Sequence, residues 1–232
     1  MEKKKYTMNV VRKILKNMLT SVLRPRGKGS FIRSIQKNGK VLDVGCGNNS
    51  PFHTKTLRHD LYYVGLDIGD YNQTTDYSIY ADKYLIATSS SFAAAIGSFK
   101  NYFDAVISSH NIEHCQNPIE VLKAITASLK SGGKLYLSFP CEASMFFPKR
   151  HSTLNFYTDP THIYLPNFDQ IINMLRSEGY SITFAKRRYR PIFLFVLGML
   201  LEPIAFITKR NMPIGSTWAL YGFETVIWAT RQ

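Results

Sequence analysis

Runs of apolar residues alternate with helical patterns along most of the chain. Six runs have the length and composition of strands, at 41–44, 62–66, 103–108, 134–139, 181–185 and 223–230. Between them, cap residues, first-turn prolines and apolar spacing predict helices over 51–59, 91–99, 118–129 and 167–178. Strands that alternate with helices predict an α/β fold with an open, largely parallel sheet covered on both faces.

The segment before the first predicted strand has a different pattern. Apolar residues between Met8 and Leu23 recur at helical spacing, and Arg12, Lys13 and Lys16 occupy the other side. This pattern predicts an N-terminal amphipathic helix with a basic face. Two roles stay open for the helix: its apolar face packs against the rest of the protein, or it rests on an anionic membrane surface.

A second unusual segment is almost continuously apolar. It runs over 192–201, is interrupted by Glu202-Pro203 and resumes over 204–207. The segment is too short to span a bilayer, which needs about 20 apolar residues. One interpretation is a buried helix or a contact in an oligomer. The other is a patch at 192–207 that binds a membrane surface together with residues 8–23.

The size of the chain and the distribution of its charge limit the architecture. A chain of 232 residues suits one domain, expected at 40–232 with an apolar insertion at 188–216. The net charge is +13, but residues 1–40 contain 12 Lys or Arg against Glu2 alone. The basic excess therefore belongs to a helical appendage at 1–39 and not to a nucleic-acid groove across the whole molecule.

The cysteines and the first residues indicate the compartment. Cys46, Cys115 and Cys141 are far apart and have no histidine at ligand spacing, so neither a metal site nor a disulfide framework is expected. The N-terminal apolar positions are interrupted by cations, which excludes a secretion signal. We expect a cytoplasmic protein, held at the inner face of the membrane if residues 8–23 bind there.

A glycine-framed turn follows the first predicted strand. Strand 41–44 contains Asp43 and leads directly into Gly45-Cys46-Gly47, and Asp67 ends the second apolar run. An acidic side chain at that position can accept hydrogen bonds from both hydroxyls of a ribose. The turn lacks the third glycine of the dinucleotide fingerprint, GxGxxG. The pattern predicts a loop that binds a nucleotide-containing cofactor.

The neighbouring segments extend this pattern in a fixed order. They are Val41-Leu42-Asp43-Val44-Gly45-Cys46-Gly47, Gly65-Leu66-Asp67-Ile68, Ala81-Asp82, 103–110, Glu113-His114 and 129–135. In this order the chain resembles the class I S-adenosylmethionine-dependent methyltransferases. The resemblance implies a Rossmann-like, seven-stranded, mostly parallel sheet with an antiparallel last strand, and S-adenosylmethionine as cofactor. Residues 155–179 more loosely resemble a branch that methylates bacterial glycans and small molecules.

The resemblance also implies roles for individual residues. The first cofactor loop would consist of Asp43, Gly45, Cys46 and Gly47. Asp67 would accept from the ribose hydroxyls, and Ile68 would pack on the adenine. Asp82 would accept from the exocyclic amine of the adenine. Ser109 and His110 would lie beside the reacting methyl group.

An acceptor hydroxyl has to lose its proton, and histidine is the usual group that takes it. His110 follows the fourth predicted strand, at the edge where open α/β sheets bind ligands. His162 follows Asp159 by three residues, and a carboxylate there can orient the imidazole. Both histidines are candidates for the base, whereas His114 with Glu113 is expected to fix a loop.

The acceptor is the least defined part of the prediction. An aromatic and basic stretch at 140–165 is expected to form an acceptor lid suited to a sugar or a phosphorylated compound. We therefore expect O-methylation of a sugar or glycan precursor or another small molecule. The alternatives are methylation of a membrane lipid, or of RNA through the basic N-terminus. The fourth strand ends in Ser108-Ser109-His110-Asn111 and not in the Asn/Asp-Pro-Pro-Tyr/Phe loop of base methyltransferases, which disfavours nucleic acid.

Overall fold

A mixed seven-stranded sheet with helices on both faces organises residues 22–232, which the computed structural model describes. The strands are β1 (Lys40–Val44), β2 (Tyr62–Asp67), β3 (Lys83–Ile86), β4 (Phe103–Ser109), β5 (Leu129–Pro140), β6 (Tyr180–Lys186) and β7 (Glu224–Arg231). The helices are α1 (Lys28–Arg33), α2 (Ser50–Leu57), α3 (Phe92–Gly97), α4 (Pro118–Ser128), α5 (Phe168–Ser177), α6 (Ile192–Thr208) and α7 (Ser216–Tyr221). The six predicted strands are confirmed, while β3 has no counterpart among them.

The strand order is β3-β2-β1-β4-β5-β7-β6. Strands β1 to β5 pair in parallel, whereas β7 is antiparallel to both β5 and β6. The predicted mostly parallel sheet with an antiparallel last strand is therefore confirmed. Because β7 runs against its neighbours, Glu224 at its start pairs with Pro140 at the end of β5. The edge where β1, β2 and β4 end is thus also the edge where β7 begins.

The sheet has a hydrophobic core on each face. Successive side chains of a strand point to opposite faces, so Leu42 and Val44 of β1 join the core under α3, α4 and α5. Val41 joins the second core with Phe31 of α1. Phe31 meets Trp228 of β7 edge to face, with 5.2 Å between the ring centroids.

The short helix α1 packs into the second core although its residues lie in the predicted appendage at 1–39. Phe31 and Ile32 of α1 are buried. The rest of the predicted amphipathic helix at 8–23 falls outside the described residues, apart from its last two positions.

Helix α6 comprises the apolar segment at 192–207 and continues through Pro203. Arg150 and the hydroxyl of Tyr221 bind the neighbouring Glu202. Of the interpretations of this segment, the buried helix is wrong, since Phe206 and Ile207 have 74% and 79% of their surface exposed. Among the described residues, no helix is long and apolar enough to cross a membrane.

Candidate functional site

A cleft of about 500 Å³ opens at the sheet edge where β1, β2 and β4 end. It lies where open α/β sheets bind ligands. The predicted site residues that line it are Gly45, Gly47, Asp67, Ile68, Ser109, His110, Asp159 and His162. Asp43, Cys46 and Asp82, which were also predicted, do not line it.

The loop after β1 requires both of its glycines. Gly45 has a φ of +73°, and a Cβ there would lie 2.5 Å from Oδ1 of Asn111. A Cβ on Gly47 would lie 3.0 Å from the carbonyl oxygen of Tyr71 and 3.5 Å from Oδ2 of Asp67. The missing side chains leave the backbone bare toward the cleft, as a closely bound ligand needs.

Asp67 ends β2 directly beside this loop. The N–H of Ile68 donates to Oδ1 of Asp67 over 2.8 Å, and burial raises the pKa of the carboxyl group. Ile68 itself is exposed at the rim. The arrangement presents a carboxylate acceptor beside an apolar side chain, which suits the ribose and the base of an adenosyl group.

Asp43 and Cys46 support the loop from below. The Asp43 carboxylate is buried and accepts from Lys28 Nζ (2.9 Å), Ser50 Oγ (2.5 Å) and the Tyr63 hydroxyl (2.8 Å). Cys46 is buried as well, and burial raises the pKa of its thiol. Asp43 therefore fixes the strand end and the start of α2, and the structure gives neither side chain a place on the cleft wall.

The structure does not bring Asp82 to the cleft. It precedes β3 and accepts from the N–H of Tyr63 over 2.7 Å and from Lys55 Nζ over 2.6 Å. Tyr63 lies near the start of β2, so Asp82 belongs to the opposite edge of the sheet. The expectation that Asp82 contacts the adenine is corrected accordingly; Ser89 and Ser90, after the end of β3, line the cleft instead.

His110 lies between two buried carboxylates. Its Nδ1 is 3.0 Å from Oε1 of Glu113, and its Nε2 is 3.3 Å from Oε1 of Glu224. Burial lowers the pKa of His110, but the two carboxylates outweigh it and raise the pKa to about 9. Burial raises the pKa of Glu224, yet Arg24 and His110 bring it to about 2. Both ring nitrogens of His110 thus already face a charged partner.

The second candidate base, His162, has different neighbours. Nδ1 of His162 is 2.7 Å from the carbonyl oxygen of Phe156, so Nδ1–H donates and Nε2 keeps its lone pair. Asp159 Oδ2 is 3.8 Å from that Nε2, so the predicted pair does come together. Burial lowers the pKa of His162. The ring is therefore neutral near pH 7 and able to accept a proton.

Only part of the predicted lid at 140–165 reaches the cleft. Thr153, Asp159 and His162 line the wall, while Arg150 is buried against Glu202 and Tyr221. Sequence reasoning did not identify Trp218 of α7, which also lines the cleft and whose ring centroid is 5.1 Å from that of His110. No local spacing signals Trp218 or Glu224, because α7 and the start of β7 bring them to His110 from more than 100 residues away in sequence.

Comparisons with known proteins agree with this geometry. Residues 18–183 match the family model described as "Methyltransferase domain". A crystal structure of an S-adenosylmethionine-dependent methyltransferase from Archaeoglobus fulgidus is 18% identical, with a TM-score of 0.58 and coverage of 93% of this chain and 94% of that one. One from Mesorhizobium loti is 15% identical, with a TM-score of 0.58 and coverage of 87% and 96%.

Two further relatives match part of their own length. A Haemonchus contortus phosphoethanolamine N-methyltransferase 2 in complex with S-adenosyl-L-methionine is 17% identical, with a TM-score of 0.56 and coverage of 88% of this chain and 52% of that one. An uncharacterized protein from Methanocaldococcus jannaschii is 28% identical over 109 residues, which is 45% of this chain and 29% of that protein. The family match covers most of the chain: it belongs to the methyltransferase domain family, whose class I members have this fold and use S-adenosylmethionine.

Proposed function

We propose that this protein methylates a hydroxyl group of a small acceptor, a sugar or glycan precursor, with S-adenosylmethionine as methyl donor. The observation that carries the proposal is the division of the cleft into two ends. One end has the bare glycine backbone beside Asp67, and the other has imidazole rings with unprotonated nitrogens. A methyltransferase needs both, since it has to align a bound donor with an acceptor that loses a proton.

The donor end fits the adenosyl group. Gly45 and Gly47 would approach its methionine and ribose parts, Asp67 would accept from the ribose hydroxyls, and Ile68 would cover the adenine. When bound, the cofactor supplies a methyl group on a positively charged sulfur, and this sulfur is the leaving group when an acceptor nucleophile attacks the methyl carbon in line. Ser109, which also lines the cleft, would lie beside the methyl group.

At the acceptor end, geometry favours the His162 side over His110 as the place where the hydroxyl proton leaves. Both nitrogens of His110 face carboxylates, whereas Nε2 of His162 has a lone pair and the ring is neutral. His110 would then position Glu113 and Glu224 and leave proton transfer to His162. Asp159 would orient His162 and stabilise its charge once protonated.

The exposed helix α6 supports an acceptor that is lipid-linked. Its apolar face ends in Lys209 and Arg210, both exposed, and this combination suits the surface of an anionic bilayer. Gly198 lets α6 approach Ser216 of α7, the helix that also contributes Trp218 to the cleft wall. Contact with a membrane through 192–207 would thus bring the cleft close to lipid headgroups.

Cofactor binding and acceptor class are tested with Asp67→Asn and a matched control, Asp70→Asn, on the same loop. Asp67→Asn should weaken S-adenosylmethionine binding by roughly 10- to 100-fold in calorimetry, because it removes a charged acceptor of hydroxyl hydrogen bonds. The exposed Asp70 should leave binding unchanged. Incubation with methyl-labelled cofactor and separated glycan, lipid and RNA fractions should label the glycan or glycolipid fraction. Unchanged binding by Asp67→Asn, or label in RNA alone, contradicts the proposal.

A further inference from the structure

Three side chains from two distant segments bring ligand atoms close together on the acceptor side of the cleft. Glu113 and His114 lie in the turn after β4, and His162 lies within the predicted lid. One ligand atom from each lies within 4.8 Å of the others. The two segments are fixed to each other, because the backbone oxygen of Glu113 accepts from the N–H groups of Ile163 and Tyr164 over 2.9 and 3.1 Å.

Both imidazoles are held in the tautomer that binds a cation. Nδ1 of His114 is 3.1 Å from the carbonyl oxygen of Thr161, and Nδ1 of His162 is 2.7 Å from that of Phe156. A carbonyl oxygen only accepts, so each Nδ1 carries the hydrogen and each Nε2 is left with its lone pair. A histidine that ligates a metal is typically fixed in this way by a hydrogen bond from its other nitrogen.

The Glu113 carboxylate likewise has one atom held by a neighbour and one atom left without a partner. Glu113 is fully buried, and its Oε1 is 3.0 Å from Nδ1 of His110. Its Oε2 is buried too, and no atom of residues 22–232 forms a hydrogen bond with it. A buried oxygen without a partner costs free energy unless something else satisfies it. Because a carboxylate oxygen of Glu113 lies within 4.8 Å of a ligand nitrogen of each imidazole, a bound cation is a partner that all three side chains can share.

We propose that Glu113, His114 and His162 bind a divalent transition-metal ion. Two imidazole nitrogens and one carboxylate oxygen are a donor set typical of zinc and of other first-row ions, whereas magnesium prefers oxygen ligands alone. Bound distances of about 2.0 to 2.2 Å require the three side chains to move inward slightly. Three protein ligands leave coordination positions open toward the cleft, which is typical of catalytic metal sites.

The role of this ion rests on the proposed function, although its binding does not. An acceptor hydroxyl that occupied an open position would have its pKa lowered by the ion and would release its proton to water at neutral pH. The oxygen would keep the electron pair needed for the new bond to carbon. His162 would then act as a ligand in place of a base, with Asp159 beside it.

Metal binding is tested on the full chain, stripped with a chelator and titrated with Zn²⁺ in a calorimeter and with Co²⁺ in a spectrophotometer. We expect one ion per chain and a visible Co²⁺ spectrum with the intensity of a four- or five-coordinate site. His114→Ala and His162→Ala should each weaken Zn²⁺ binding by about 100-fold or more. The matched control is His59→Ala, in a separate pocket near Asp82, which should bind Zn²⁺ like the unmodified protein.

Asp67→Asn separates this inference from the proposed function. It should lose cofactor affinity and keep the Zn²⁺ site, while the two histidine variants should keep cofactor affinity, which also shows that they fold. Absence of saturable Zn²⁺ and Co²⁺ binding by the unmodified protein would overturn the inference. Equal Zn²⁺ affinities for His59→Ala and His162→Ala would also overturn it, whatever the methylation assay gives.

Discussion

At the scale of single residues, the carboxylates near the glycine loop differ in role although they look alike in sequence. Asp43 lies within the first predicted strand and Asp67 ends the second apolar run, but Asp67 faces the cleft while Asp43 is closed off by Lys28, Ser50 and Tyr63. Tyr63 lies 20 residues away in sequence from Asp43, so no local spacing shows which carboxylate is already occupied. The family pattern predicted a loop that lines the cleft but could not assign each side chain to the cleft or to its support.

A glycine substitution tests the rigidity of this loop. Gly45→Ala should lower the free energy of unfolding by roughly 1 to 2 kcal/mol, because a positive φ is unfavourable for alanine and its Cβ would collide with Asn111. The matched control is Gly69→Ala, where a Cβ has no neighbour within 4 Å. Urea unfolding followed by circular dichroism measures both. Equal unfolding midpoints would mean that the strain inferred at Gly45 is absent.

Histidine roles show a second limit of sequence reasoning at this scale. His110 and His162 were equal candidates for the base, and only the three-dimensional neighbours distinguish them. Glu224, which occupies one nitrogen of His110, comes from the last strand, and the carbonyl group that fixes His162 comes from Phe156. Glu113 is predicted only to fix a loop. It lies 49 residues before His162, and no spacing in the sequence indicates that the two side chains come close together.

At the scale of helices and strands, apolar pattern predicted what was buried. Strands β1, β2, β4 and β7 and the second half of β5 are mostly buried, and the strands predicted there are confirmed. Strand β3 is half exposed and has an apolar run of only three residues, 84–86, which was not predicted as a strand. Without β3, the prediction could not show that Asp82 precedes a strand and so belongs to the opposite edge of the sheet.

Helix α6 shows that an apolar run does not always indicate burial. Its buried side chains are Leu194, Gly198 and Ala205, and two of these three are small. The larger apolar side chains point outward, which is costly in water unless another surface covers them. The sequence pattern predicted that the segment is apolar, but it could not show which face of the helix is covered and which is exposed.

The exposed face of α6 is tested with the double variant Phe206→Glu/Ile207→Glu. The affinity for anionic phospholipid vesicles, measured by sedimentation, should fall at least tenfold. The reason is that two apolar side chains, which each contribute about 1.5 to 3 kcal/mol, no longer insert into the bilayer surface. The control with the same change in charge is Ile79→Glu/Ile86→Glu, two side chains exposed elsewhere on the surface. Identical sedimentation of both double variants would contradict membrane contact through α6.

At the scale of the whole molecule, the N-terminal segment is tied to the last strand and through it to the site. Arg24 forms an ion pair with the buried Glu224, and the indole N–H of Trp228 donates to the carbonyl oxygen of Arg26 over 2.9 Å. Glu224 also contacts His110. The charge of the N-terminal region, which the sequence indicated as an appendage, therefore takes part in holding the cleft wall.

Removing this link should lower the stability of the entire fold. Arg24→Met leaves Glu224 buried with one cationic partner fewer and should lower the free energy of unfolding by about 2 to 4 kcal/mol. Arg33→Met, on the exposed side of α1, is the control and should change it by less than about 0.5 kcal/mol. Guanidinium unfolding gives both values. If the two variants had the same free energy of unfolding, the N-terminal link would not support the domain.

The reversed direction of β7 has a consequence for how such proteins diversify. Because β7 starts at the ligand edge, the chain between β6 and β7 places Trp218 on the cleft wall, and Glu224 at the start of β7 faces His110. Recombination that replaced only 187–224 would exchange helix α6 together with these two contacts. The glycine loop, Asp67 and the cluster of Glu113, His114 and His162 would be inherited unchanged.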